Sequence, residues 1–368
     1  MSKIESKRQE WVDIAKAFAI IAVVMGHISY QYPEFKLLPI STIIAWLWHV
    51  PVFFMIGGFF LKDERMIKPV SFIKGKINSL YLLILYLYIP FTLLHNVLLD
   101  IGFYDTAIEY GGKHVDYWST GQFIRGIVEV FFLAGREPIL GAMWFVYVLF
   151  MALCYISIVS FVIAKIAPPR STLYEKARCY VLLGGAIAAS FLTHVFDFTI
   201  PRFNNVFTAA WLIYVGMQLV QRYKLKFDNW FVFWLSLMIL YSFAVLRGDV
   251  HLNRNEFDDI ISLTVSSCFA LYVLCFLSKR LKGWFAKGMA VIGRDSFYIM
   301  GLHFLTFKLG SCSLNAVSNL NLNPADLMAP AHNVLLYIYF VLIGVLMPLA
   351  MLWIWRRLKN FIILNKIK

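Results

Sequence analysis

The chain has 368 residues, 60% hydrophobic and only 15% charged, with a formal net charge of +13. Soluble domains carry about 45–50% apolar and about 25% charged residues, and a soluble fold of this composition would leave too much apolar surface in water. The composition argues against a soluble enzyme and against a nucleic-acid-binding domain. Lipid is the expected solvent, and the positive charge is expected in loops on one side of a membrane.

A helix needs about 20 apolar residues to cross a bilayer. Ten such runs occur along the chain, at 12–30, 40–61, 78–99, 141–164, 179–196, 204–221, 228–246, 258–278, 288–310 and 333–355. The reading is an all-α polytopic membrane protein of about ten transmembrane helices. It forms a single domain over 1–368, with both termini cytoplasmic. A further segment at 121–134 is too short and too charged to span, so it lies on the surface or re-enters the membrane. It belongs to the longest outer segment, about 100–140, which can cover a site.

The loops support this count. The N-terminus has Lys3, Lys7 and Arg8, and the second loop has Lys62, Arg65, Lys68, Lys74 and Lys76. The fourth loop has Lys165, Arg170, Lys176 and Arg178, and the sixth has Arg222, Lys224 and Lys226. Lys279, Arg280, Lys282 and Lys287 occupy the eighth, and Arg356, Arg357, Lys359, Lys366 and Lys368 close the chain. The alternate loops hold only Lys36, Lys113, Arg125, Arg136, Arg202, Arg247 and Arg254. Basic residues gather on the cytoplasmic side, and a missing helix would scramble the alternation. The first apolar run is long and no small-residue cleavage site succeeds it, so no cleavable signal is expected. The five cysteines form no CxxC pair, which implies neither a disulfide framework nor a zinc site.

Ionisable residues inside spans are costly and become functional candidates. In the first run, His27 lies eleven residues after Lys16, about 20° off the same helical face and about 16 Å further along. Asp13, Lys16 and His27 thus form one polar stripe. An interfacial ion pair with a snorkelling lysine fits Asp13 and Lys16 equally well by position. The second run, WLWHVPVFFMIGGFF, carries His49 at a depth similar to that of His27, with Pro51, Gly57 and Gly58 below it. A buried histidine at a kink is the structural alternative. The fourth run opens with Trp144 and Tyr147, which also suit an aromatic belt. The ninth holds Arg294, Asp295 and Ser296 low and His303 high. By depth, His27, His49, Trp144 and His303 converge in the outer half, while Lys16, Arg294 and Asp295 lie nearer the cytoplasm.

The sequence has no Walker or GxGxxG loop, no HExxH and no GxSxG elbow. Three histidines can bind a metal, but no ligating carboxylate accompanies them, so no metal site is expected.

The blocks WVDIAKAFAIIAVVMGH at 11–27, WHVPVFFMIGGF at 48–59, WFVYVLF at 144–150 and IGRDSFYIMGLH at 292–303 resemble the acyltransferase-3 family, especially its fucose 4-O-acetylase-like branch. The resemblance implies a ten-helix enzyme of the bacterial inner membrane. Such enzymes move an acyl group, commonly acetyl from acetyl-CoA, to a sugar hydroxyl, with no permanently bound cofactor. The family's helix-1 histidine matches His27. Lys16 stands where arginine is frequent, and Gly57–Gly58 replace the common Ser-Gly pair.

On this basis His27 and His49 are the expected catalytic residues. Asp13, Lys16, Lys74, Lys76, Trp144, Arg294, Ser296 and His303 are the expected substrate-binding residues. Lys74 and Lys76 are the candidates for the CoA phosphates. The expected partners are acetyl-CoA, a polysaccharide or lipid-linked sugar acceptor, and membrane lipids. Direct transfer and an acetyl-histidine intermediate both remain open. The rival reading is a transporter or flippase for a lipid-linked sugar, for which inverted repeats are the expected sign; none is seen.

Overall fold

The computed structural model describes residues 9–33, 38–107, 109–110, 113–196, 198, 200 and 202–366. Five of the loop cations, Lys3, Lys7, Arg8, Lys36 and Lys368, lie outside the described residues. The chain is mostly helical and divides into two compact units. One contains residues up to Ala19, Pro33–Ile84 and Trp144–Gly293; the other contains Ile20–Tyr32, Leu85–Met143 and Arg294–Lys368.

Helix α1, Glu10–Gly26, opens with Glu10 and Asp13 in its first turn, where carboxylates favour the helix dipole. Strand β1, Ile28–Ser29, begins two residues later. A π-type turn at Thr42–Trp46 precedes α2, His49–Gly58. Short helices α3, Asp63–Met66, and α4, Pro69–Lys76, lead through a second π-type turn into α5, Leu82–Leu93, and α6, His95–Asp100. Strands β2, Glu109–Tyr110, and β3, Lys113–His114, form a small antiparallel pair. Then come α7, Thr120–Phe131, α8, Trp144–Ala164, α9, Thr172–Phe196, and α10, Phe203–Met217. The remaining helices are α11, Trp230–Arg247, α12, Ile260–Arg280, α13, Gly283–Arg294, α14, Ser296–Val317, and α15, Val334–Lys366. Strand β4, Ala329–Pro330, lies between the last two.

Seven helical stretches among the described residues are long and apolar enough to cross a membrane. They are Pro69–Leu93, Pro138–Ala164, Thr172–Phe196, Phe203–Arg222, Trp230–Arg247, Ile260–Arg280 and Val334–Phe361. The other three runs are built differently. The first is a 17-residue helix whose start carries Glu10, Asp13 and Lys16. The second is interrupted at Leu47–Trp48 between the π-type turn and α2. The third, expected as one span over 288–310, breaks at Asp295 into α13 and α14. Helix α14 has 22 residues but carries His303, Lys308 and a polar last turn, so it is less apolar than the seven.

Over most of the 121–134 segment runs α7, an amphipathic helix with three stripes. Gly126 and Val130 are buried, with Trp118 against Gly126; Ile124, Val128 and Phe131 are exposed apolar residues; Arg125 binds Glu129 on the third face. The Gln122 side chain accepts from the Ser119 N–H at 2.7 Å, fixing where this helix starts.

In the first unit, α2 and α10 cross closely. A Cβ on Gly58 would strike the Ile213 carbonyl, and one on Gly216 the Met55 carbonyl, so these glycines set the approach. In the second unit, α14 packs against α15. A Cβ on Gly344 of α15 would come within 2.6 Å of both Phe307 of α14 and Val24 of α1.

Candidate active site

The C-terminal end of α1 carries the site. His27 comes directly after Gly26, and its Nδ1 lies 2.9 Å from the Val23 carbonyl. A carbonyl only accepts, so the neutral ring holds its proton on Nδ1 and its basic lone pair on Nε2. Parallel pairing of β1 with β4 anchors the chain just past His27, with Ile28 opposite Ala329 and Ser29 opposite Pro330. The Ala329 N–H donates to the His27 carbonyl at 3.2 Å, and the Ala331 N–H to the Ser29 carbonyl at 3.1 Å.

The structure brings His303 to His27: their ring centroids are 5.1 Å apart. Phe304 meets the His27 ring edge-on at 4.9 Å, and Phe307 meets His303 at 5.6 Å. His303 is fully buried, and its Nδ1 binds the Ile299 carbonyl at 2.9 Å. Its Nε2 is buried and, among the described residues, has no hydrogen-bond partner.

A buried lysine holds the segment that carries β4. Lys308, 1% exposed, donates to the carbonyls of Pro324, Ala325 and Asp326 at 3.0, 2.9 and 3.2 Å. Charge-assisted bonds to three carbonyls satisfy an ammonium that would be costly alone. In the sequence Lys308 is only a basic residue inside a span, and nothing there shows which carbonyls it caps.

Beyond β1, the rings of Tyr30, Tyr32 and Tyr337 cluster with centroids 5.0–5.8 Å apart. The Tyr32 hydroxyl donates to that of Tyr337 at 2.6 Å. Within the 100–140 segment and its flanks, buried Glu137 lies 3.2 Å from His95 Nδ1 and accepts from the Tyr104 hydroxyl at 3.0 Å. Trp118 stacks on His95 at 4.0 Å, and His95 Nε2 bonds the Asp116 carbonyl. This knot ties the segment to α6, and sequence reasoning misses it because its members are far apart in the chain.

The other expected residues lie in separate settings. Arg294 and Arg356 both bind Asp295, which is 6% exposed, with Arg356 Nη2 2.8 Å from Oδ1. These charges brace the break between α13 and α14. Half-buried Ser296 begins α14. In the first unit, Lys16 Nζ lies 3.4 Å from Asp13, which is itself buried. His49 is buried; its Nδ1 bonds the Ala45 carbonyl at 2.6 Å, and its ring packs on Trp46. Trp144 opens α8, half-buried, against Phe145. Lys74 is exposed on α4, and Lys76 sits over the Phe72 ring at 5.2 Å.

The acyltransferase domain of the acyltransferase-3 family matches residues 9–349, nearly the whole chain. The chain belongs to this family. The match spans both α1 with His27 and α14 with His303. No curated protein and no solved structure matches the chain. Membership makes this acyltransferase-3 protein an acyltransferase, and its apolar helices mark it as an integral membrane protein.

Proposed function

We propose that the protein is an O-acetyltransferase, close to the fucose 4-O-acetylase-like branch, which moves acetyl from cytoplasmic acetyl-CoA to a carbohydrate hydroxyl at the outer face of a bacterial inner membrane. The observation that carries this reading is the place of His27 at the junction of α1 and β1, with its ring 5.1 Å from that of His303 and its Nδ1 committed to the Val23 carbonyl. Its Nε2 is the basic nitrogen, as a general base requires.

In the proposed step, Nε2 of His27 takes the proton of the acceptor hydroxyl as its oxygen attacks the thioester carbon. The carbon–sulfur bond breaks, and the departing CoA thiolate takes the proton back from His27. Neutral imidazole is restored, and ester and thiol are the products. A second route, through an acetyl group carried on Nε2, uses the same nitrogen.

Lys74 and Lys76 are proposed for the CoA phosphates, and Lys16 with Asp13 for donor use. His49 shares the tautomer of His27, so its Nε2 is also basic. The tyrosines at 30, 32 and 337 offer aromatic surface of the kind that stacks on the apolar faces of sugars. A sugar flippase remains the alternative from another class.

Mass spectrometry of surface glycans from cells with and without the protein tests the reading. Acetylated glycan is expected only with the protein. Identical glycan acetylation in both strains overturns it.

A further inference from the structure

His303 presents an atom that the proposed step does not use. Its Nε2 is buried and without a hydrogen-bond partner among the described residues. Its Nδ1 is committed to the Ile299 carbonyl, so in the neutral ring Nε2 can only accept. A buried acceptor left without a donor is costly, and native structures rarely keep one without a use.

The reacting end of an acyl thioester cannot fill this position. Its carbonyl oxygen and sulfur are acceptors, and an acceptor does not satisfy an acceptor. A hydroxyl does. The His303 ring stands 5.1 Å from the His27 ring, so a hydroxyl donating to His303 is a near neighbour of the group that gives its proton to His27. Phe304 and Phe307 pack on the His303 ring, with centroids 4.4 and 5.6 Å away.

We propose that His303 Nε2 accepts a hydrogen bond from a second acceptor hydroxyl, adjacent to the one acylated, so that the site selects a vicinal diol of a sugar ring. This rests on His27 as the base of acetyl transfer. His303 is then a specificity residue that touches the acceptor, and its neighbour His27 carries the chemistry.

The test uses purified full-length protein in lipid nanodiscs, labelled acetyl-CoA, and two sets of probe acceptors. One set is methyl pyranosides with a free vicinal diol; the other is their mono-deoxy counterparts, lacking the hydroxyl beside the acylated one. Wild type is expected to prefer the diol by about 10–100-fold in kcat/KM, the range set by leaving one buried acceptor unsatisfied. His303→Asn keeps an amide near the Nδ1 position and removes Nε2, so the preference should collapse to near unity. His303→Phe, which keeps an aromatic ring against Phe304 and Phe307, should do the same if the asparagine variant fails to fold. His303→Gln places an amide oxygen near the lost Nε2 and should restore part of the preference. A preference retained in either His303→Asn or His303→Phe overturns the proposal, as does a wild type that treats diol and deoxy acceptors alike. In both cases His27-dependent transfer survives. A wild type that transfers acetyl to no acceptor instead overturns the functional reading, and this inference with it.

Discussion

His27, His49 and His303 each give Nδ1 to the carbonyl four residues earlier. His194 does so too, on an exposed helix face, so the bond is a local habit of helical histidines and does not by itself mark function. A buried Nε2 without a hydrogen-bond partner among the described residues distinguishes His303, and a place at the junction of α1 and β1 distinguishes His27. The sequence supplies the identity and depth of these histidines, because an ionisable residue in an apolar run stands out. It does not supply the partners of Nε2, which depend on side chains many residues away. The same holds for Lys308. It is visible in the sequence as a lone charge in an apolar helix, but its three carbonyl partners come from the 324–326 turn. Lys308→Met should orphan those carbonyls, at a cost of about 1–3 kcal/mol. It should also loosen the segment that bonds the His27 carbonyl. The expected result is a lower melting temperature and a reduced kcat. Unchanged melting and turnover in a thermal-shift and transfer assay would remove Lys308 from this role.

At the scale of elements, the breaks carry the information. The 288–310 run reads as one span from hydropathy alone, because Arg294 and Asp295 are only two polar residues in an apolar stretch. The helix nevertheless divides there, since Asp295 is held by Arg294 and by Arg356 of α15. That pairing joins residues 61 apart in sequence and leaves no local signal. In the first unit, α3 is tied to α9 by fully buried Arg178, which binds Asp63 at 2.5 Å and Glu175 at 2.9 Å between the rings of Tyr174 and Tyr214. In the sequence Arg178 reads as an ordinary loop cation, because charge and position are the same for a solvated loop residue and a buried clasp. Arg178→Met removes the buried cation from Asp63 and Glu175, leaves them with their longer ion pairs to Arg170 and Arg222, and should cost about 3 kcal/mol, the lower end for a broken buried pair. Chemical or thermal unfolding in detergent measures this; a loss below about 1 kcal/mol would mark the clasp as a surface pair.

For the whole molecule, composition alone is enough to assign a membrane protein, since seven long apolar helices among the described residues and the family match agree with it. The number of spans is less legible. A hydropathy window cannot distinguish a continuous helix from one interrupted at Leu47–Trp48 or at Asp295. The proposed sidedness is tested by reporter fusions at the fourth loop, near Lys165, and in the 100–140 segment. Cytoplasmic reporter activity is expected only at the first, and the reverse pattern would invert the donor and acceptor faces. If α4 meets the donor phosphates, Lys74→Ala and Lys76→Ala should raise KM for acetyl-CoA several-fold with little change in kcat, and the effect should shrink at high salt. A kcat effect at constant KM would place both lysines elsewhere in the cycle.

The central claim is that His27 is the base for acetyl transfer. Its most direct measurement is the transfer of label from acetyl-CoA to glycan by purified wild type and His27→Ala in nanodiscs, with matched folding. The variant should lose at least about 10²-fold in rate, the lower range for a general base. Transfer by His27→Ala at close to the wild-type rate would contradict the claim.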